Sequence, residues 1–155
     1  MPSLINYREL NILNDSEVAQ IAETHENAPK YWTPEYCPKP EQIRQRIEQI
    51  KKRDYCVDRF FQLAETPDGK IIGFHWLDLE KADSELFGHI KSLWVHDDFQ
   101  HQGLARQLKA NGEIWAKNKG ATYIKTTVHA NNVKMLNFNL HFNFESGFIE
   151  MIKKL

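Results

Sequence analysis

Apolar positions along this chain change period from one stretch to the next, and the changes mark out its elements. Leu4 to Asn11 alternates loosely, as a strand with one buried face does. From Asp15 to about Asn27, Val18, Ile21 and Ala22 fall at helical spacing, behind an Asp15-Ser16-Glu17 stretch suited to capping a first turn. Ile43, Ile47 and Ile50 repeat that spacing in a second helix starting at Pro40 or Glu41, since proline fits a first helical position. The stretch between these helices, Ala28 to Pro40, is broken by Pro29, Pro34 and Pro38, which exclude regular structure there. Phe60–Glu65, Ile71–Leu79 and Phe87–Val95 then read as strands. Thr66-Pro67-Asp68-Gly69-Lys70 makes a hairpin turn between the first two, and a polar loop, Glu80 to Glu85, joins the next two, so chain order predicts an antiparallel meander. A helix over Leu104–Asn118, stopped by Gly120, leads into a strand over Thr122–Val128, which predicts a right-handed parallel crossover. A helix from Asn132 to about His141 and a final strand over Gly147–Lys153 complete an α/β pattern with a mixed sheet.

Composition narrows the class. The 155 residues suffice for one domain, 1–155, with a real core, and 41% apolar against 26% charged residues describes a globular chain. Charges nearly cancel, 20 Lys and Arg against 21 Asp and Glu, which argues against nucleic acid as the main partner. No apolar run approaches the ~20 residues of a membrane span, and Met1 to Arg8 lacks the layout of a signal peptide. Cys37 and Cys56, without CxxC spacing, suggest reduced thiols and a cytoplasmic setting. The histidines, at 25, 75, 89, 96, 101, 129 and 141, lack metal-ligand spacing, and no metal is expected.

Chemistry concentrates at Gln100-His101-Gln102-Gly103-Leu104-Ala105, between a strand and a helix. The first helical N–H groups have no partner inside the helix and make an anion site, and Gly103 lets the backbone approach a bulky anion. Neither a dinucleotide fingerprint nor a P-loop is present. Gln100-x-x-Gly103-x-Ala105 matches [RQ]-x-x-G-x-[GA]. Together with Ile90-x-x-Leu93-x-Val95 upstream, and Asn132-x-x-Met135-Leu136-x-Phe138 and Asn143-Phe144 downstream, it resembles the GNAT N-acetyltransferase superfamily over essentially the whole chain.

The resemblance implies a GNAT-like twisted mixed sheet of about six to seven strands flanked by about four helices, splayed between the fourth and fifth strands. It implies acetyl transfer from acetyl-CoA to a primary amine by direct attack in a ternary complex, with a non-catalytic acetyl-CoA sensor as the alternative. The pyrophosphate would sit on the N–H groups from His101 to Arg106, through Gln102, Gly103, Leu104 and Ala105, behind Gln100. The pantetheine arm would pair with the strand Leu93-Trp94-Val95 and meet Asn132, itself equally a helix cap. Arg106 and Lys109 would meet the ribose phosphate or simply face solvent. The N–H of Leu93 would take the oxyanion. Alternate positions back from Val95 give Leu93, Lys91 and His89 on one face, which makes His89 the candidate base, with Glu85 and Asp78 as alternatives.

Asn139 stands where many members of that superfamily carry a tyrosine that protonates the departing thiolate. An amide can hydrogen-bond sulfur but is no acid at this pH; Tyr123 and Tyr31 are the other phenols in reach of the question. Tyr31, Trp32 and Trp76 are candidate walls for the amine acceptor, or else caps of the core. A homodimer is left open.

Overall fold

The computed structural model describes residues 4–155; Met1 to Ser3, part of the stretch read for a leader, lie outside them. Helix α1 spans Asp15–Asn27 and α2 spans Pro40–Lys51, close to their predicted limits. The cap of α1 is Asn14, whose Oδ1 accepts the Glu17 N–H at 3.1 Å, one residue before the predicted Asp15. One five-stranded sheet runs in the order β1 (Asn6–Glu9), β2 (Asp58–Glu65), β3 (Ile71–Ala82), β4 (Glu85–Val95) and β5 (Tyr123–Thr126). The first four are antiparallel neighbours, whereas β5 lies parallel to β4, reached through α3 (Leu104–Asn118) and followed by α4 (Val133–His141).

Three expectations change. Ala28–Tyr31, in the stretch expected to lack regular structure, forms a short 3-10 helix that accepts Pro29 in its first turn. The polar stretch Glu80–Glu85 is mostly strand: β3 and β4 pair out to Ala82 and Glu85 and turn tightly through Asp83 at φ 54°. The strand expected over Gly147–Lys153 is absent, so the sheet has five strands and not six or seven. Alternating residues make a strand only against a partner edge. Residues 145–155 make no hydrogen bond among the described residues and leave Phe148, Ile149, Met151 and Ile152 exposed. No helix among the described residues is long and apolar enough to cross a membrane.

The helices cover both faces of the sheet. On one, Val18, Ile21 and Ala22 of α1 and Ile50 of α2 pack on Phe61, Leu63, Phe74 and Trp76. On the other, Leu104 and Leu108 of α3 pack on Ala64, Ile72 and Val95. Directly opposed residues of an antiparallel pair share a face, which puts His75 with Leu93 and Gly73 with Val95 on the α3 side. Gly112 of α3 is the close approach there: a Cβ would lie 2.7 Å from both Cδ2 and Nε2 of His75. That imidazole is only 1% exposed and is held by donating from Nδ1 to the Ser92 carbonyl at 3.2 Å. Burial pushes its pKa down to about 4, so it is neutral at pH 7. Gly112→Ala is therefore expected to cost about 1–3 kcal/mol through overpacking, although alanine is the better helix former by about 1 kcal/mol. Urea unfolding checks this: the midpoint should fall at unchanged slope.

Candidate active site

A bulge in β4 arranges the site. Trp76 of β3 opposes Ser92, but Leu77 opposes Ile90, so Lys91 is an extra residue on β4. Beyond it the side chains change faces. Leu93 and Val95 point to the α3 side, whereas His89 opposes Asp78 and points to the α1/α2 side. Counting alternate positions had put His89 and Leu93 on one face, and the extra residue is why that fails.

Just past the bulge the sheet opens. Parallel pairing of β4 with β5 runs from Phe87↔Tyr123 to Ile90↔Thr126 and stops, while β4 continues to Val95 against β3 alone. The His96 N–H donates to the Ile72 carbonyl at 2.8 Å, so the antiparallel alternation turns the N–H and C=O of Leu93 and Val95 away from β3, into the gap. Gln100 bridges the end of this edge: its Nε2 donates to the Val95 carbonyl at 3.2 Å, and its Oε1 accepts from Lys134 of α4 at 2.5 Å. Lys134 is thus a cation at the turn that the motif did not single out.

The turn has the geometry of an anion cradle. His101 at φ 62° and Gly103 at φ 82° are left-handed, and Gly103 caps α3 with no side-chain hydrogen bond. Gln107 is the first residue whose N–H is taken, by the Gly103 carbonyl at 3.0 Å. No acceptor among the described residues takes the N–H of any residue from His101 to Arg106. Successive free N–H groups at a helix N-terminus attract an anion through both their partial charges and the helix dipole. Arg106 is exposed there, with its guanidinium 5.4 Å from the Phe142 ring centre. Asn132 caps α4, its Oδ1 accepting the Met135 N–H at 3.2 Å.

On the α1/α2 side, His89 is one corner of a triad with Glu80 and Lys91. Its Nδ1 lies 2.9 Å from Glu80 Oε1 and 3.0 Å from Lys91 Nζ, and Lys91 also pairs with Glu80 at 3.0 Å. Nδ1 either donates to Glu80, with Lys91 donating to that carboxylate, or accepts from Lys91; only the first tautomer leaves Nε2 as an acceptor. Burial and the Lys91 charge lower the His89 pKa below its ordinary value, and Glu80 opposes them without prevailing. Burial pushes the Glu80 carboxyl up, yet Lys91 and His89 hold it below the usual range. Glu80, read from sequence as a loop residue, sits on β3 because the hairpin is tight. Of the alternative bases, Asp78 is sealed in the core, and Glu85 lies at the far end of β4, accepting from Thr122.

The aromatic candidates divide. Tyr31, exposed on the segment after α1, donates its hydroxyl to Asp97 Oδ1 at 2.8 Å and accepts from Trp94 Nε1 at 3.3 Å. With Glu23, Lys30 and Asp97 they line an open groove of about 510 Å³. Trp32 stacks on His129, beyond the end of β5, at 5.8 Å between ring centres. Trp76 is 0% exposed, enclosed between the sheet and the first two helices, and has no surface to offer a solute; its expected place in an acceptor wall is corrected. Lys109 is corrected too: at 1% exposure it faces neither solvent nor a ribose phosphate, and its Nζ donates to Asn139 Oδ1 at 2.9 Å.

Comparison with known proteins agrees with this geometry. The profile of the acetyltransferase (GNAT) family matches residues 21–144. A structure described as a GNAT family acetyltransferase from Staphylococcus aureus is 30% identical, over 78% of this chain and 98% of that one, with a TM-score of 0.65. An acetyl transferase from Pyrococcus furiosus shares the fold at 16% identity, covering 98% of this chain and 100% of its own, with a TM-score of 0.74. AAC(6')-Iy, solved with the bisubstrate analogue CoA-S-monomethyl-acetylneamine, shares it at 21% identity, 99% coverage of each chain and a TM-score of 0.64. No curated protein sequence matches the chain.

Proposed function

This chain belongs to the GNAT acetyltransferase family, and on that premise we propose that it moves the acetyl group of acetyl-CoA to a primary amine by direct attack in a ternary complex. The observation that carries the reading is the opening between β4 and β5: pairing stops at Ile90 and Thr126, and the freed edge leads straight into a turn of unpaired N–H groups. An extended amide-bearing arm ending in a pyrophosphate suits such a path, with Leu93, Trp94 and Val95 beside the arm and His101 to Arg106 on the phosphates. Gln100, between the Val95 carbonyl and Lys134, bridges the two sides of that path, and Asn132, whose Oδ1 caps α4, offers its Nδ2 to the arm.

Acetyl-CoA supplies an activated thioester; the protein positions it and removes a proton. An alkyl amine with pKa near 10 is protonated at neutral pH, so a base is required. His89 Nε2, backed by Glu80, takes the proton; the Leu93 N–H receives the developing oxyanion; Asn139 hydrogen-bonds the sulfur. Placement of amine against thioester contributes much of the rest. Tyr31 and Trp32 form walls for the alkyl part of the amine, and in the groove beside Tyr31 the carboxylates of Glu23 and Asp97 outnumber the one cation, Lys30, which favours a cationic acceptor. The free Cys37 and Cys56 fit the cytoplasmic setting we infer.

The test is free-thiol release from acetyl-CoA on a panel of primary amines, with calorimetry of coenzyme A binding alongside. Release that depends on the amine supports the proposal. Binding without release on any amine leaves the sensor reading, and no binding overturns both.

A further inference from the structure

Lys109 is a buried cation for which the resting protein provides no counter-ion. No carboxylate among the described residues lies within ion-pair distance of its Nζ. Its only hydrogen bond among the described residues is to Asn139 Oδ1 at 2.9 Å. The faces of Phe144, Phe138 and Phe142 surround it, at 4.1, 5.6 and 5.6 Å from Nζ to the ring centres. Ring faces return part of the cost of desolvating an ammonium group. Burial still pushes its pKa down to about 8, with Glu113 of its own helix opposing weakly. From β3 the neighbouring ionisable group is His75, which feels the Lys109 charge and is neutral; α4 and the segment after it contribute rings and an amide. A seat this apolar would be filled more cheaply by methionine, so the charge needs another explanation.

Its neighbours supply one. His75, beside Lys109, is directly opposite Leu93, whose N–H turns into the β4–β5 gap. The Asn139 backbone is fixed by its carbonyl accepting from the N–H groups of Phe142 at 2.9 Å and Phe144 at 3.1 Å. Its Oδ1 is committed to Lys109, which orients the amide and leaves Nδ2 as a donor with no partner among the described residues. His25 Nδ1 is the one fully buried side-chain atom without a partner among them, so Asn139 Nδ2 reaches solvent.

We infer that Lys109 is a positioning residue that orients and polarises the Asn139 amide toward the sulfur of the acetyl donor, so that a thiolate, and not a thiol, is the stabilised leaving group. In the transfer, the ammonium first loses one proton through His89 to solvent; the free amine nitrogen then bonds to the acetyl carbon and gives its second proton to His89 Nε2. The carbon–sulfur bond breaks and its electron pair stays on sulfur. The thiolate then meets the Asn139 Nδ2–H and the Lys109 charge behind it, and solvent protonates it after release. No acid is needed, which is how the site functions with an amide where a phenol would otherwise serve. This rests on the acetyl-CoA reading above.

The experiment titrates the thiol of coenzyme A bound to the whole protein, by thiolate absorbance against pH. Calorimetry establishes binding first. The wild type should hold the bound thiol below the pKa of free coenzyme A, and Lys109→Met and Asn139→Leu should each raise it by about one unit. Lys109→Arg should keep most of the effect. In turnover, Lys109→Met should lower kcat by about tenfold or more with little change in KM for acetyl-CoA, the split expected of an interaction made only in the transition state. Wild-type titration in variants that still bind coenzyme A overturns the inference. If Lys109→Met does not fold, Asn139→Leu decides alone, because it keeps the lysine and removes only the relay. Failure of the wild type to bind coenzyme A overturns instead the reading on which the inference stands.

Discussion

Replacing His89 by glutamine is expected to lower kcat/KM for amine acetylation by about 10²–10⁴-fold, the range of a positioned general base, while acetyl-CoA binding is retained. The separation follows from the bulge. His89 points to the α1/α2 side of β4, whereas the Leu93 and Val95 edge and the cradle from His101 to Arg106 lie beyond the extra residue. Glutamine keeps a polar group of similar reach toward Glu80 but cannot take a proton.

The pH profile gives the sharper test. Burial and Lys91 hold His89 below its ordinary 6.5, with Glu80 pulling the other way. A base is active when unprotonated, so wild-type kcat/KM should lose no activity to His89 at neutral pH and should fall only as the medium is acidified below about 6.5. The acid limb should disappear in His89→Gln. Glu80→Gln removes the group that favours the imidazolium, so the limb should survive there and move further to acid. An acid limb that persists unchanged in His89→Gln would remove His89 from the mechanism.

Periodicity and turn chemistry carried much of the fold. The helical spacing of Ile43, Ile47 and Ile50, the Thr66–Lys70 turn and the Gly103 turn each fix local geometry through residues that few other conformations accommodate. The profile match and the opening beside Leu93 follow from that same stretch. What escaped has physical reasons. A bulge adds one residue without a residue type to announce it, so the period-2 count across Lys91 put His89 on the wrong face. Period assigns a face and not a depth, so Trp76 read as a wall when it is core. Lys109 adjoins Leu108 on the helical wheel and looks like a solvated edge until α4 and its rings close over it. Glu80 joins the site only because β3 and β4 pair beyond the stretch whose polarity suggested a loop. The pattern over Gly147–Lys153 is that of half a strand, and the other half is a partner edge that no pattern within the segment can supply.

Asp78→Ala is expected to cost about 3–5 kcal/mol of folding free energy, the penalty for breaking a buried ion pair by deleting one partner. Its carboxylate meets Arg59 through Nε at 2.6 Å and Nη2 at 3.3 Å, and neither side chain is more than 1% exposed. The same Oδ1 accepts from Trp76 Nε1 at 2.9 Å. Arg59 spends its remaining donors on the Ile50 carbonyl at 2.7 Å and the Tyr55 hydroxyl, tying α2 to the sheet. Alanine would strand the guanidinium without a counter-charge and the indole N–H without an acceptor. Against the roughly 5–15 kcal/mol that holds a domain together, that is a large share, readable as a fall in the urea midpoint. Asp78→Asn keeps an acceptor for both donors and should cost less. The double change Arg59→Met with Asp78→Leu should recover much of the loss, since the desolvation cost goes with the charges. Asp78 opposes His89 across the β3–β4 ladder, so the two positions separate stability from chemistry. Asp78→Asn should weaken the fold yet keep the acid limb of the pH profile in whatever fraction stays folded, and His89→Gln should do the reverse. An Asp78→Asn protein that is fully folded but has lost that limb would move the base from the imidazole to the carboxylate.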